Sequence, residues 1–534
     1  MTLEQINAQD CDQALIHCLP DEILELIFLI NTSKLVKKRN ENHPYDPHST
    51  TLATTQVCQR WRAVALDYPV IWSRIINYER HSPLWIETLL ARSGSTLIDV
   101  GGDSAFEPAK LYYPRGKPVL KSIFQRIASL KTFNACFRHY SSEYCRSFLE
   151  HPAPNLEFLN LITCRPYAHC LYLDPLFADE APCLQRLHLE RSIIDFSSSV
   201  LYNLTELSVR YIIPTVYLSV ENSHRWRLAP SVAGWLQVLK NIPALRFLTL
   251  WNAISPFTEH EPLPVVDLPH LTLLTIFTVS NPGILLIDRL NIHPLCGIDF
   301  RVSRNHSIST VGPNLLFFLS KQLSHWPQDC SDRFLQAKIH KRGNIDFGNS
   351  KLLGQVPYMS GSDQVEAHSR YSKDPMLSLM VTFNNLEDSL TFFNQLLEVY
   401  SSTFSTTTTL VLWVDQRFAD TAIANGSFPA FSTFRSFTNL KILKLRGQTP
   451  LFLLPLFELS SQPDQPLFPV LQSLHLAGTD IDDKEGAMCR VFVAFLQRRV
   501  EAGIPLAEIK ILGRISNEAA EDLSRIGNLR VSLD

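Results

Sequence analysis

The sequence predicts an α/β protein, in which an N-terminal all-α segment precedes an irregular array of repeats that build a curved parallel sheet with outer helices. Three observations predict it: an apolar spacing that recurs along the chain, helical periodicity between its occurrences, and a nearly all-apolar helix close to the N-terminus. The chain of 534 residues is long enough for several compact domains or one elongated array.

The first observation is the spacing apolar-x-x-apolar-x-apolar, which recurs between residues 130 and 511. It occurs at Leu130/Phe133/Ala135, Leu156/Leu159/Leu161, Leu184/Leu187/Leu189, Leu204/Leu207/Val209, Leu245/Leu248/Leu250, Leu271/Leu274/Ile276, Leu295/Ile298/Phe300, Leu440/Leu443/Leu445, Leu471/Leu474/Leu476 and Leu506/Ile509/Ile511. Side chains two apart on a strand share a face, so the last two apolar residues of each triplet predict a strand with one buried face. Most intervals lie in or near the roughly 20–29 residues typical of leucine-rich repeats, and some repeats are enlarged.

The second observation is helical periodicity before several triplets, at residues 120–127, 232–239 and 492–499. Polar residues stand at the centre of most triplets: Asn160, His188, Ser208, Thr249, Thr275, Asp299, Lys444, His475 and Lys510. A doubly wound sheet is the alternative, but its strands would read as continuous apolar runs. The alternating polar residues fit a sheet with one solvent-exposed face better than a sheet covered on both faces.

Residues 301 to 405 show no clear triplet. We interpret them as an enlarged repeat, with a long loop at 341–374, a strand in MLSLMVTF and a helix around Leu390 to Tyr400. The polar ladder of regular repeats is mostly missing, because only Cys164 occupies its expected place.

The third observation is the segment LPDEILELIFLI at residues 19–30, in which Glu25 is the only polar residue after Glu22. Pro20 suits a helix start, and Asp21 and Glu22 suit a first turn. A helix that is apolar all round must be covered by the rest of the chain or by a partner. A polar insert follows, and VCQRWRAVALDYPVIW at 57–72 then supplies further apolar residues at helical spacing.

Three motifs occur in order: Leu-Pro-Asp-Glu-Ile-Leu at 19–24, Val-Cys-Gln-Arg-Trp-Arg at 57–62, and Pro-Val-Ile-Trp at 69–72. Together they resemble an F-box, and the whole chain resembles fungal-type F-box proteins that carry divergent leucine-rich repeats. The resemblance implies an F-box domain at 17–80 and a leucine-rich-repeat-like solenoid at 81–534. The loop between the F-box helices is longer here than the family's usual short link.

The resemblance also implies a function: the substrate-recognition subunit of a Skp-cullin-F-box ubiquitin ligase, whose F-box docks on the Skp-type adaptor. By matching positions, the implied adaptor-binding residues, divided between the F-box core and the adaptor surface, are Leu19, Pro20, Ile23, Leu24, Ile27, Phe28, Val57, Cys58 and Trp61. The alternative function is a scaffold in a complex that ubiquitinates no target. The alternative for the F-box residues is a three-helix core that packs on itself and binds no adaptor.

The face positions of the repeat strands are candidates for binding a target protein. They include Arg186 and Arg210 in a mixed-charge strip, and Phe247, Trp251 and Phe277 as aromatics on adjacent repeats. Exposed apolar patches on soluble proteins mark interaction sites, so the three aromatics form the predicted target-binding patch. A slipped register, or a loop folded over the rings, is the alternative.

Composition argues against other classes of partner. Net charge is −3, with 49 Lys and Arg against 52 Asp and Glu, so we expect neither nucleic acid nor an anionic membrane as a partner. Residues 268–287 reach membrane-spanning length but contain Pro269, His270 and an Asn-Pro-Gly turn, so we expect no transmembrane helix. The N-terminus lacks the pattern of a signal peptide.

No catalytic or cofactor motif was found, so we expect neither an enzyme nor a cofactor. The 11 cysteines form no C-x-x-C pair, which argues against a disulfide framework and favours the reducing cytoplasm or nucleus. Cys164, His169 and Cys170 form an unusual ligand set, which we interpret as packing in a repeat loop, and we expect no metal.

Overall fold

The computed structural model divides the chain into two compact units, Met1–Leu204 and Thr205–Asp534. The predicted boundary between residues 80 and 81 lies within the first unit. The structure describes residues 19–32, 47–78, 80–101, 116–137, 142–163, 171–210, 229–255, 263–278, 282–306, 308–323, 333–339, 344–349, 377–383, 386–426, 431–447, 449–459, 466–477, 487–512, 517–527 and 529–533.

The first elements in the described part of the first unit are the helices α1 (Asp21–Thr32), α2 (Pro47–Thr54), α3 (Gln59–Leu66) and α4 (Pro69–Arg74). Pro20 precedes α1, and its carbonyl accepts from the amides of Ile23 and Leu24. Cys58 is the N-cap of α3, where its Sγ accepts from the amide of Trp61. Helix α2 lies in the insert that was predicted as a loop, so that prediction is wrong for residues 47–54. The reason is packing, because Thr51 of α2 is 0% exposed.

The rest of the first unit alternates strands with helices or short 3-10 turns. Its elements are β1 (Ile76–Asn77), α5 (Pro83–Arg92), β2 (Ile98–Gly101), α6 (Gly116–Phe124), β3 (Leu130–Phe137), α7 (Ser142–Leu149), β4 (Phe158–Thr163), β5 (Leu171–Leu173), β6 (Arg186–Glu190) and β7 (Ser192–Ile194). Strands β1, β2, β3, β4 and β6 pair in this order, all parallel. Strands β5 and β7 form a second, small parallel pair.

The second unit continues the alternation. Its elements are β8 (Glu206–Arg210), α8 (Val232–Lys240), β9 (Phe247–Trp251), β10 (Val266–Leu268), β11 (Leu273–Thr278), α9 (Pro282–Asp288), β12 (Leu290–Ile292), β13 (Gly297–His306), α10 (Ile308–Leu323), β14 (Arg333–Ile339), β15 (Asn344–Gly348), β16 (Leu377–Phe383), α11 (Leu386–Phe404), β17 (Thr407–Val414), α12 (Gln416–Asn425), α13 (Phe431–Arg435), β18 (Ile442–Gly447), α14 (Thr449–Leu459), β19 (Ser473–Ala477), α15 (Ala487–Glu501), β20 (Glu508–Leu512), α16 (Asn517–Ser524) and β21 (Arg530–Leu533).

Its sheet runs through β8, β9, β11, β13, β16, β15, β14 and then β17 to β21. Every one of these pairings is parallel except the two that β15 makes with β14 and β16. Strands β10 and β12 form a separate parallel pair. The prediction of a mixed α/β chain with a large parallel sheet is therefore confirmed.

The triplets coincide with strands. The last two apolar residues of each lie on a strand and are buried, as in Leu248 and Leu250 of β9, both at 0% exposure. Leu248 is in register with Leu274 and Leu250 with Ile276, so the rows of apolar side chains run across neighbouring strands. The first apolar residue of each triplet is also buried, except in the triplet that begins at Leu295. Leu295 is 48% exposed, and the adjacent Cys296 is buried.

The predicted loop at 341–374 is wrong for residues 344–348, which form β15. Ile345 and Phe347 alternate at 0% exposure, because the strand fills the place between β14 and β16. The predicted strand and helix that follow are confirmed as β16 and α11, and residues 350–376 lie outside the described part of the chain.

The apolar stretch at 268–287 contributes β11 and all but the last residue of α9. Among the described residues, no helix combines the length and the hydropathy needed to cross a membrane.

Candidate functional site

Helix α1 carries a buried stripe and an exposed stripe of apolar side chains. Leu24 and Phe28, four residues apart, are both 0% exposed. On another side, Ile23, Leu26 and Ile30 are 40%, 53% and 60% exposed. Ile27, between them, is partly exposed. The positions i, i+3, i+4 and i+7 form one face of a helix, and we call Ile23, Leu26, Ile27 and Ile30 the α1 strip.

The buried stripe holds α1 against α3. The Phe28 ring meets the Trp61 ring edge to face, with centroids 5.5 Å apart. Arg60, in the first turn of α3, places its Nη2 2.6 Å from Asp21 Oδ1 and 2.6 Å from the Leu19 carbonyl oxygen. These contacts orient α1 so that the α1 strip stays in solvent.

The predicted adaptor-binding residues fall into three groups. Leu24, Phe28 and Trp61 are buried and belong to the core of the first unit; Pro20, Ile23 and Val57 are exposed; Leu19, Ile27 and Cys58 are partly exposed. Leu26 and Ile30 are exposed but were missed by the sequence reasoning. Their helical spacing from Ile23 was the signal that could have found them.

The sheet face of the first unit carries polar contacts between strands. Arg186 lies over the Phe158 ring, with its guanidinium carbon 4.6 Å from the centroid. The His188 ring meets the same Phe158 ring edge to face at 5.1 Å. Asn160 donates to Asn134 across the neighbouring strands at 2.9 Å. This face is therefore a mixed polar surface with Arg186 exposed on it.

In the second unit the predicted aromatics lie on adjacent strands. Trp251 and Phe277 are Cα partners, and their rings stack with centroids 4.5 Å apart and planes 21° apart. Phe247 is four residues from Trp251, so the two share a face of β9. Arg210 is the Cα partner of Trp251 on β8, and its Nε donates to Ser208 Oγ at 3.2 Å.

These aromatics are only partly open. Phe247, Trp251 and Phe277 are each partly exposed. The central polar residues of the same face are buried: Ser208, Thr249, Thr275 and Asp299. We call the stacked pair Trp251 and Phe277 the aromatic ledge, because part of each ring remains accessible to a partner.

A third surface lies on β18 to β20 and was not predicted as a site. Lys444, His475 and Lys510 are consecutive Cα partners on these strands, and all three are partly exposed. Their neighbours Leu443, Leu474 and Ile509 are buried on the opposite face. Basic residues at the centre of three successive triplets were the signal in the sequence.

The described part of the chain contains no group of three or more His, Cys, Asp or Glu residues placed to hold a metal ion. The segment with Cys164, His169 and Cys170 lies outside that part. Cys58, Cys183 and Cys296 are free thiols. Burial raises the pKa of Cys296 to about 12, which makes this thiol a poor nucleophile at neutral pH.

No protein-family model matches this chain, and no curated protein is significantly similar to it in sequence.

Proposed function

We propose that this protein is the substrate-recognition subunit of a Skp-cullin-F-box ubiquitin ligase. The observation that carries the proposal is the α1 strip, an exposed apolar face on the helix that follows Leu19 and Pro20. Its members Leu26 and Ile30 are more than half exposed, although an apolar side chain gains free energy by leaving water. An apolar helix face of this kind fits a groove on a partner protein.

The contacts beneath the α1 strip support the same proposal. Leu24 and Phe28 of α1 and Trp61 of α3 are buried, and Arg60 Nη2 lies 2.6 Å from Asp21 Oδ1. A rigid backing lets the exposed side chains bind without first paying the conformational entropy of ordering the helix. Val57, 56% exposed and next to the N-cap of α3, adds a further apolar side chain.

The repeats of each unit would then form a leucine-rich-repeat solenoid that holds the target protein. Parallel pairing in chain order from β1 to β4, and again from β17 to β21, supports this proposal. The aromatic ledge with Phe247 and Arg210, and Arg186 in the first unit, are the proposed target contacts. Such a complex would work in the cytoplasm or nucleus.

The test is co-purification from cells of the full chain with a Skp-type adaptor and a cullin. We expect both to copurify with the natural chain, and the yield of both to fall strongly with Leu26→Ala/Ile30→Ala. A protein bound to the repeats should accumulate when the double variant replaces the natural chain. Capture of the adaptor without any such accumulation would favour a non-ubiquitinating scaffold, and no capture at all would overturn the proposal.

The solenoid has its own test. Because each repeat buries its apolar face mainly against its neighbours, a chain cut at residue 230 should expose a hydrophobic end and lose solubility. A fragment 1–230 that is as soluble and unfolds as cooperatively as the full chain would favour separate domains instead.

A further inference from the structure

The sheet face of β18 to β21 is rich in positive charge. Lys444, His475 and Lys510 are Cα partners on three successive strands, so one lysine stands on either side of the histidine. Arg446 on β18 and Arg530 on β21 are exposed positions of the same face. Among the described residues of β17 to β21, the carboxylate on this face is Glu508. We call this surface the basic face.

Glu508 is engaged inside the basic face. Its Oε2 lies 3.4 Å from Lys510 Nζ and accepts from Ser473 Oγ at 3.3 Å. The Ser473 hydroxyl also lies 2.9 Å from His475 Nε2. The carboxylate therefore compensates part of the charge at β19 and β20, and among the described residues of β18 to β21 the basic side chains on this face outnumber the carboxylate.

The positive charge of the basic face affects the pKa of His475. Its pKa is lowered from the ordinary histidine value first by burial, then by the positive charges of Lys444 and Lys510, while Glu508 acts in the opposite direction. The lysines on both neighbouring strands thus disfavour a further proton between them. A negatively charged ligand placed there would be favoured for the same reason.

We propose that the basic face binds an extended acidic peptide segment, whose carboxylates contact Lys444 and Lys510 on either side of His475. Neighbouring strands lie about 4.8 Å apart, so the two lysines stand roughly 10 Å apart at their Cα atoms, and an extended peptide places alternate side chains about 7 Å apart. Flexible lysine side chains span the difference. The biological meaning rests on the proposed function, since the acidic segment would belong to the target protein.

A peptide fits these observations better than a nucleic acid. Nucleic-acid binding gains its affinity from many phosphate contacts, whereas the basic face offers a few cations grouped around one histidine.

The test is fluorescence anisotropy with the full chain at low salt, without adaptor, using labelled octaglutamate and octaglutamine. We expect octaglutamate to bind and octaglutamine not to bind. Lys444→Gln/Lys510→Gln should weaken octaglutamate binding about tenfold, as expected for the loss of two charge pairs at partly exposed lysines. The matched control Lys121→Gln/Lys240→Gln removes two exposed lysines from α6 and α8, and should change the affinity less than twofold.

Acidification provides a second readout. A proton on His475 adds a positive charge beside Lys444 and Lys510, so acidification should tighten octaglutamate binding by the natural chain more than by His475→Gln. An equal change in both would contradict the role of His475. Thermal melts of each variant check that it is folded. Because no adaptor is present, the result is independent of the co-purification test.

Three results would overturn the proposal: no binding of octaglutamate, an equal loss of octaglutamate affinity in both double variants, or no loss of affinity in either. Tighter binding of a single-stranded oligonucleotide, lost in Lys444→Gln/Lys510→Gln but kept in the control, would assign the basic face to nucleic acid instead.

Discussion

Replacing Leu26 and Ile30 by Ala tests whether the α1 strip is a docking surface. The two side chains are 53% and 60% exposed, so their truncation removes little that the folded chain itself uses. Exposed substitutions of this kind change the free energy of unfolding by about 0.5 kcal/mol or less. Alanine also has the highest helix propensity, which preserves α1.

The expected loss of adaptor affinity follows from the exposed fractions. Complete burial of a Leu or Ile side chain contributes about 1.5–3 kcal/mol. A partner that covers Leu26 and Ile30 removes a little over half of each from water. The two together therefore contribute about 2 kcal/mol, which corresponds to about a thirtyfold change in Kd.

Isothermal titration of purified Skp-type adaptor into the natural chain and the double variant measures this difference. The matched control is Leu84→Ala, because Leu84 is 74% exposed on α5 of the same unit. Phe28→Ala is the opposite case: the ring is 0% exposed and packs on Trp61, so we expect a loss of about 3–5 kcal/mol in stability.

Equal adaptor affinity for the natural chain and the double variant would refute the reasoning. An equal loss in Leu84→Ala would show that any exposed leucine of this unit has the same effect. Strong salt dependence would also contradict it, because the α1 strip is apolar.

Three further predictions concern the second unit. Trp251→Ala should weaken target capture in a pull-down by about 2 kcal/mol. It should also lower the free energy of unfolding by about 1 kcal/mol, because the stack on Phe277 is lost. A loss of unfolding free energy above about 3 kcal/mol in a denaturant titration would show that Trp251 is a core residue. Arg499→Met should cost about 2–4 kcal/mol in urea unfolding, because the buried guanidinium donates to the carbonyls of residues 467, 468 and 471, whereas the exposed Arg490→Met on the same helix should be neutral. Cys296, with its pKa raised to about 12 by burial, should resist alkylation by iodoacetamide in the native protein and react in denaturant; labelling at the rate of the exposed Cys183, followed by peptide mass spectrometry, would contradict this.

The strands were predictable because their signal is local. An apolar residue at every second position is enough to mark a strand with one buried face, whatever lies beside it. Leu443 and Leu445, or Leu474 and Leu476, therefore predicted β18 and β19 without knowledge of their partners, and the structure buries all of these side chains.

The exceptions show where a local signal is not enough. Helix α2 lies in a polar insert, and its buried Thr51 is held by packing rather than by an apolar pattern. Strand β15 is short and occurs where β14 and β16 provide partners on both sides. Both elements depend on contacts with residues far away in the sequence, which propensity does not encode.

The candidate sites divide in the same way. The sequence by itself determined that residues 23–30 form an apolar helix and that Lys444, His475 and Lys510 occupy the polar side of their strands. Only the tertiary structure decided that Leu24 and Phe28 are buried, with Phe28 packed on Trp61 of α3, while Leu26 and Ile30 remain in solvent. It also decided that the basic residues of three strands stand in one row. The physical reason is that side-chain direction follows from neighbours in the chain, whereas burial and register follow from packing between segments that are remote in sequence.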